Sequence, residues 1–207
     1  MLFADIGNTR AHIYNGSTVV HLSHEVAIRR YAKESLYYIN VNHALQPQLE
    51  RLSQWHNMAP YLKVKGAYET MGLDRRALCL SKEHGIFVSA GSAITVDRMV
   101  HGIYEGGFLL LGLRAYLDAY GGISPALKST LNQEITLEVL PKSTQDGISF
   151  GIIGSIVTLI HAHQGSLPLY ISGGDGAFLA GFLNQATFDE TLIFQGMQRA
   201  LQKGHEL

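Results

Sequence analysis

The apolar positions of this chain fall into short runs, and the runs come in two similar series. Leu2-Phe3-Ala4-Asp5-Ile6-Gly7-Asn8-Thr9 is an apolar run ending in a Gly followed by polar and small residues. Ile86-Phe87-Val88-Ser89-Ala90-Gly91-Ser92-Ala93 repeats that pattern 84 positions later. Each is followed by a second strand-like run (11–14; 94–100), a turn (Asn15-Gly16; His101-Gly102) and a third run (19–22; 103–111). Runs of this length bounded by Gly and Asn predict strands. Each half therefore opens with a three-stranded meander.

Beyond the meanders, both halves change to alternating helix and strand. In the first, the pattern predicts a helix over 25–35, a buried strand over 36–41, an amphipathic helix over 44–56 and a short strand over 61–64. A loop over 66–72 follows, then a helix over 74–83 with Asp74 in the N-cap position. In the second, a long helix is expected over 144–163, a strand over 168–172, a helix over 175–183, a strand over 192–194 and a closing helix over 197–203. A meander followed by α/β alternation, performed twice, predicts two similar α/β domains facing a central cleft, 1–84 and 85–207. No low-complexity or charged linker separates them.

Composition narrows the function classes. With 16 Lys+Arg against 17 Asp+Glu the formal charge is -1, which gives no global pull toward nucleic acid or an acidic membrane. At 46% hydrophobic and 16% charged residues, the chain of 207 lies in the range of packed globular proteins. The single Cys79 allows neither an internal disulfide nor a Cys-based zinc site. Its N-terminus lacks the basic and apolar regions of a signal peptide, and the uncharged stretch 147–162 is short of a spanning helix and carries Gly, Ser, Thr and His. The expected location is the cytoplasm, with no membrane segment and no nucleic-acid partner.

Three short segments carry candidate chemistry. Asp5-Ile6-Gly7-Asn8-Thr9 is a tight turn between strands, where Gly7 is free to take positive φ and bring N–H groups to an anion. Asp5 before it can hold Mg²⁺ through water on a polyphosphate. Alone, these residues more often serve an ordinary hairpin, and the partial recurrence at Ala90-Gly91-Ser92-Ala93 shifts the balance toward a phosphate clamp. Gly72-Leu73-Asp74-Arg75 places a carboxylate and a guanidinium at a helix start, where an anion is favoured and Arg75 can grip a carboxylate by two prongs. A capping Asp with a solvated Arg is the commoner case for such a segment, and spacing alone does not separate the two. Gly173-Gly174-Asp175 joins a strand to a helix, as at nucleotide sites and at plain glycine turns alike. No G-x-x-x-x-G-K-[ST] or G-x-G-x-x-G is present. The 10 histidines show no ligand spacing, His161 and His163 lying on different helix faces.

Together these segments resemble the type III pantothenate kinases, members of the acetate and sugar kinase, heat-shock chaperone and actin superfamily. The resemblance runs nearly end to end: D-x-G-N-T from Asp5 to Thr9, Y-x-x-x-G-x-D-R from Tyr68 to Arg75, and G-[TS]-A-x-T-x-D from Gly91 to Asp97. It continues through Gly106-Gly107 with Gly112, L-P-x-[NS]-T from Leu140 to Thr144, and Gly173-Gly174-Asp175. It implies two duplicated ribonuclease H-like (actin-like ATPase) domains and ATP- and Mg²⁺-dependent phosphorylation of pantothenate, the first step toward coenzyme A, in a homodimer.

By this resemblance Asp5, Ile6, Gly7, Asn8, Thr9, Arg10, Ala11 and His12 form the first phosphate loop, and Gly91 and Ser92 lie in the second. Asp74 is the proton acceptor, while Tyr68, Gly72, Leu73, Asp74, Arg75 and Thr144 hold pantothenate. Where the family has an Asp that binds a monovalent cation such as potassium or ammonium, this chain has Ser89, a neutral hydroxyl. The rival readings are a catalytically idle relative with a regulatory or binding role, and a kinase of the same superfamily with another substrate.

Overall fold

The structure is a computed structural model and describes residues 1–205. Its first sheet contains β1 (Leu2–Ile6), β2 (Ala11–Tyr14), β3 (Val19–Leu22), β4 (Leu36–Asn40) and β5 (Trp55–Asn57), in the order β3-β2-β1-β4-β5. β2 pairs antiparallel with β1 and β3, whereas β4 runs parallel to β1 and β5 parallel to β4. The second contains β6 (Gly85–Ala90), β7 (Ala93–Val100), β8 (Ile103–Leu111), β9 (Leu169–Ser172) and β10 (Ala186–Phe188), in the order β10-β9-β6-β7-β8. Counted within each half, both sheets read third, second, first, fourth, fifth. The duplication expected from the repeated runs is thus present in the topology.

By packing, the chain divides into two compact units. The first holds Met1–His84, Asp97–Gly106 and the segment that begins at Glu190, and the second holds Gly85–Val96 and Gly107–Asp189. A cut at 84/85 assigns the closing helix to the second half, but that helix packs with the first unit. The cause is a helix contact with no side chain on one partner. α3 (Leu73–Leu80) lies so close to α7 (Leu192–His205) that a Cβ on Gly196 would stand 1.7 Å from the Ala77 carbonyl oxygen.

Each unit has its own core. In the first, Ala4, Ile6, Ile13, Leu36, Tyr38 and Trp55 pack beneath α1 (His24–Tyr31), which Ser23 caps by accepting from the Val26 N–H. In the second, Ile86, Val88, Ile94 and Val96 meet Ile152 and Ile156 of α5 (Thr144–Gln164). By length and composition α5 could cross a membrane, yet its 148/152/156/160 face is buried in this core.

Several local expectations change. Residues 44–56 form a 3₁₀ turn (His43–Leu45), one turn of helix, α2 (Gln46–Leu49), and β5, because sheet pairing of Trp55 with Leu36 and the bond from its indole N–H to the Tyr31 carbonyl override helical periodicity. The expected strand over 61–64 gives way to a 3₁₀ turn begun by Pro60, Ala59–Tyr61. Residues 192–194 open α7, since a short apolar run reads alike for a strand and a buried helix face, and β10 is the strand instead. α6 (Gly176–Ala180) is shorter than expected, and α4 (Leu113–Ile123) fills a stretch for which no element was expected.

Candidate active site

In the first unit, the helix start at Gly72-Leu73-Asp74-Arg75 shows why that spacing matters. Gly72, not Asp74, is the N-cap of α3, and a Cβ there would lie 2.6 Å from the Asp74 Oδ1. The absence of a side chain clears room for the carboxylate. Asp74 Oδ1 accepts the Arg75 backbone N–H at 2.8 Å. Burial raises the Asp74 pKa, the neighbouring Arg75 N–H and guanidinium oppose that rise, and the Asp97 charge adds to it.

Asp5 sits inside β1 and is 7% exposed. Its Oδ1 is buried with no hydrogen-bond partner among the described residues. Burial first, and then the charge of Asp74, push its pKa up to about 7. An orphaned carboxylate oxygen beside a second acid has the chemistry of a place for a cation or its bound water. Among the described residues no three His, Cys, Asp or Glu side chains gather into a metal cage, so Asp5 fits an ion held chiefly by other ligands.

Arg75 does not present its fork to solvent. It is 6% exposed, with Nε donating to Asp97 Oδ2 at 3.0 Å and Nη2 to Asp97 Oδ1 at 2.6 Å. Nη2 also donates to the Tyr104 hydroxyl at 3.2 Å, and Nη1 donates to the Tyr68 hydroxyl at 2.5 Å. The two-pronged edge expected to grip a substrate carboxylate is thus spent on Asp97. Tyr104 was not singled out in the sequence, and Asp97 entered only as the last residue of the Gly91 to Asp97 segment, without a role. The available signal was an acid within the apolar run 94–100, which a buried strand tolerates only when the acid is paired. Arg76 was also missed: it donates to the backbone carbonyls of Met71, Tyr68 and Glu69, fastening the loop that carries Tyr68.

The first loop joins β1 to β2 through Gly7-Asn8-Thr9-Arg10. Its Gly7 N–H donates to the Arg10 carbonyl at 3.0 Å, and His24 Nε2 lies 2.9 Å from the Gly7 carbonyl. Gly7 does not use positive φ as expected; glycine is needed for closeness, since a Cβ would come within 3.3 Å of the Arg10 carbonyl. Asn8, Thr9 and Arg10 are exposed, while Ile6 and Ala11 are buried. His12 pairs with His21, Nδ1 to Nδ1 at 2.6 Å. Burial first, then His21, Arg10 and His24, push the His12 pKa down to about 4, so it is neutral near pH 7 and offers no positive charge to a phosphate.

In the second unit, three glycine-bearing segments converge. β6 and β7 are joined by Gly91-Ser92, the Gly112 N–H donates to the Ser92 carbonyl at 3.2 Å, and the Asp175 N–H donates to the Ala90 carbonyl at 3.0 Å. A Cβ on Gly112 would stand 2.3 Å from the Gly91 carbonyl oxygen, and one on Gly173, at φ +95°, 2.4 Å from that of Ala90. These contacts leave space only for backbone, so glycine is needed at both positions for the segments to pack against one another. Ser89 is half-buried and pairs in register with Ser172. Asp175 is the α6 N-cap residue without a side-chain capping bond, and burial raises its pKa. Thr144, exposed, is the first residue of α5.

A family model described as type III pantothenate kinase matches residues 44–164. Over 207 residues the chain is 37% identical to a type III pantothenate kinase of Campylobacter jejuni, spanning 100% of this chain and 99% of that one. A solved structure from the same species, assigned to the Baf family of transcriptional activators, is 34% identical, covers 100% of both chains and superposes with a TM-score of 0.88. A Sinorhizobium meliloti protein assigned as a 2-dehydro-3-deoxygalactonokinase, 9% identical and covering 100% of this chain and 99% of its own, superposes with a TM-score of 0.60 and shares the fold alone. That fold is the actin-like ATPase fold, with one ribonuclease H-like sheet in each half.

Proposed function

The chain belongs to the type III pantothenate kinases, and from that premise we propose how its residues carry out ATP-dependent phosphorylation of pantothenate. The reaction yields 4'-phosphopantothenate and ADP, the first step of coenzyme A biosynthesis. The observation that carries the assignment of roles is the Asp74 carboxylate. It stands clear at a helix start, its basicity raised by burial, in the same unit as Asp5. Asp74 takes the proton of the pantothenate primary hydroxyl as that oxygen bonds to the γ-phosphorus and the bond to the ADP oxygen breaks.

Asp5, whose Oδ1 has no partner among the described residues, would hold Mg²⁺ through water, and the ion would offset charge on the phosphates. The backbone from Asp5 to His12 forms the first phosphate loop, with Gly91 and Ser92 in the second. His12 contributes as a neutral group. Tyr68, Gly72, Leu73, Asp74, Arg75 and Thr144 hold pantothenate. For Arg75 the hold is a single N–H on Nη1 beside the Tyr68 hydroxyl, because its other edge is occupied by Asp97. Ser89 stands where the family binds potassium or ammonium, and supplies only a hydroxyl.

The enzyme acts in the cytoplasm as a homodimer, with one strand order repeated in 1–84 and 85–207. Exposed Leu109, Leu111, Ile123, Val139 and Leu140 in the second unit supply apolar surface for a second copy. An ADP-release assay with pantothenate beside a panel of sugars tests the substrate. Turnover with pantothenate alone is expected, and turnover with a sugar alone overturns it. The likeness to a protein assigned to a transcriptional-activator family favours a regulatory role as the second reading. That reading gains if no ADP is released in any salt.

A further inference from the structure

We propose that Asp97 is a positioning residue for pantothenate that acts through Arg75. This inference rests on the reading that Tyr68 and Arg75 hold the substrate. A guanidinium has five N–H donors in one plane. Here Nε and Nη2 are taken by Asp97, the second Nη2 donor by Tyr104, and one Nη1 donor by Tyr68. One Nη1 N–H is left without a partner among the described residues, on the side where the half-exposed Tyr68 ring lies. Asp97 therefore decides which edge of Arg75 is presented.

The anchor is rigid. Asp97 is 0% exposed, lies within β7 and receives a further hydrogen bond from the Tyr104 hydroxyl. An unpaired arginine side chain samples many rotamers. Two parallel bonds to a fixed carboxylate remove that freedom before substrate arrives, which is how a bound geometry is set in advance. Asp97 also matches the Arg75 charge. Asp74, one residue away, thus faces a neutralised pair in place of a bare cation that would weaken it as a base. A purely structural role explains less, because buried ion pairs are often replaceable by neutral groups without loss of stability.

The test is a double-mutant cycle on the full chain: Arg75→Met, Asp97→Asn and the pair together, with pantothenate KM, ATP KM, kcat and thermal melts for each. Each single change is expected to raise pantothenate KM about tenfold or more while ATP KM stays within about twofold. The double variant should match Arg75→Met alone, since Asp97 has nothing to orient once Arg75 is gone. Losses that multiply, or a folded Asp97→Asn enzyme with wild-type pantothenate KM, overturn the proposal. If Arg75→Met itself leaves pantothenate KM unchanged, the substrate reading of Tyr68 and Arg75 fails instead. Should Asp97→Asn not fold, Tyr104→Phe carries the test, because it loosens the same clamp without removing a charge. It should raise pantothenate KM about two- to fivefold with ATP KM unmoved, and an unchanged pantothenate KM counts against the proposal.

Discussion

Asp5→Asn should stabilise the nucleotide-free protein at neutral pH while removing its response to Mg·ATP. The native Asp5 pKa is raised from 3.8 to about 7. The folded state then binds this proton more tightly than the unfolded chain. The contribution to stability is full below the unfolded value near 3.8 and is lost as pH climbs through the native value. At about 1.4 kcal/mol per pKa unit, the loss between pH 4 and pH 7.5 is about 4 kcal/mol. Asn has the same shape and no charge. It leaves a buried polar atom where Asp5 Oδ1 has no partner, at a cost of about 1–3 kcal/mol. The net gain at pH 8 is about 1–3 kcal/mol, or about 2–10 °C in Tm for a chain of this size.

Thermal melts of wild type and variant between pH 4 and pH 8.5, without nucleotide, read this directly. The difference in Tm should grow across the window from pH 4 to about pH 7.5 and then level off. Other titrating groups are common to both proteins and largely cancel. Mg·ATP added at pH 7.5 should raise the wild-type Tm and move the variant little, because only the carboxylate rewards a cation there. A Tm difference that is the same at pH 4 and pH 8 would refute the reasoning, and so would equal stabilisation of both proteins by Mg·ATP.

Three further outcomes follow from the same geometry. Asp74→Asn keeps the size of the side chain and removes the proton acceptor, so kcat should fall by ~10²–10⁴ in a protein that still folds; near wild-type kcat in a folded variant rules out the assignment. Wild type should show little stimulation by potassium or ammonium, since Ser89 adds no negative charge beside the second loop, and Ser89→Asp should create that stimulation by repelling phosphates until a cation screens them. Potassium titrations balanced with tetramethylammonium decide it, and strong activation of the wild type contradicts it. Gly196→Ala must separate α7 from α3, given the 1.7 Å approach of its Cβ to the Ala77 carbonyl. It should cost about 1–3 kcal/mol or more and lower kcat through displacement of α3, and an unshifted melt would show that the helices part freely.

What could be read in the sequence was whatever local pattern determines. The two meanders, α5 and the strands 36–41 and 168–172 follow from runs of β-branched and apolar residues between Gly and Asn, with bounds shifting by a residue or so. The strand at Trp55 could not be read locally, because its pairing with Leu36 spans 19 positions and competes with a helical period. The same holds for α7, whose apolar start reads as a strand until its contact with α3 is known. Asp74 and Asp5 were visible because their glycine neighbours mark turns. Asp97 was visible only as the last residue of the Gly91 to Asp97 segment, and its role was not, because its partner lies 22 positions away.

The two halves share a strand order and differ in what equivalent positions carry. At the end of its first strand the first half has Asp5, beside Ile39 in the parallel register, where the second has Ser89 beside Ser172. Asp5, Asp74 and Asp97 all belong to the first unit, whereas in the loops of the second the Gly91, Gly112 and Asp175 N–H groups bind the Ala93, Ser92 and Ala90 carbonyls. Uncompensated carboxylates repel a phosphate chain, and those that stay uncharged or paired do not. Asp97 is paired with Arg75, and Asp5 is held near the point of protonation, so at neutral pH a bound cation shifts Asp5 toward the charged state. A single strand joins the two chemistries. β7 begins beside Ser92 in the second unit and by Asp97 has entered the first, so the strand that leaves the Gly91-Ser92 turn also carries the carboxylate that holds Arg75.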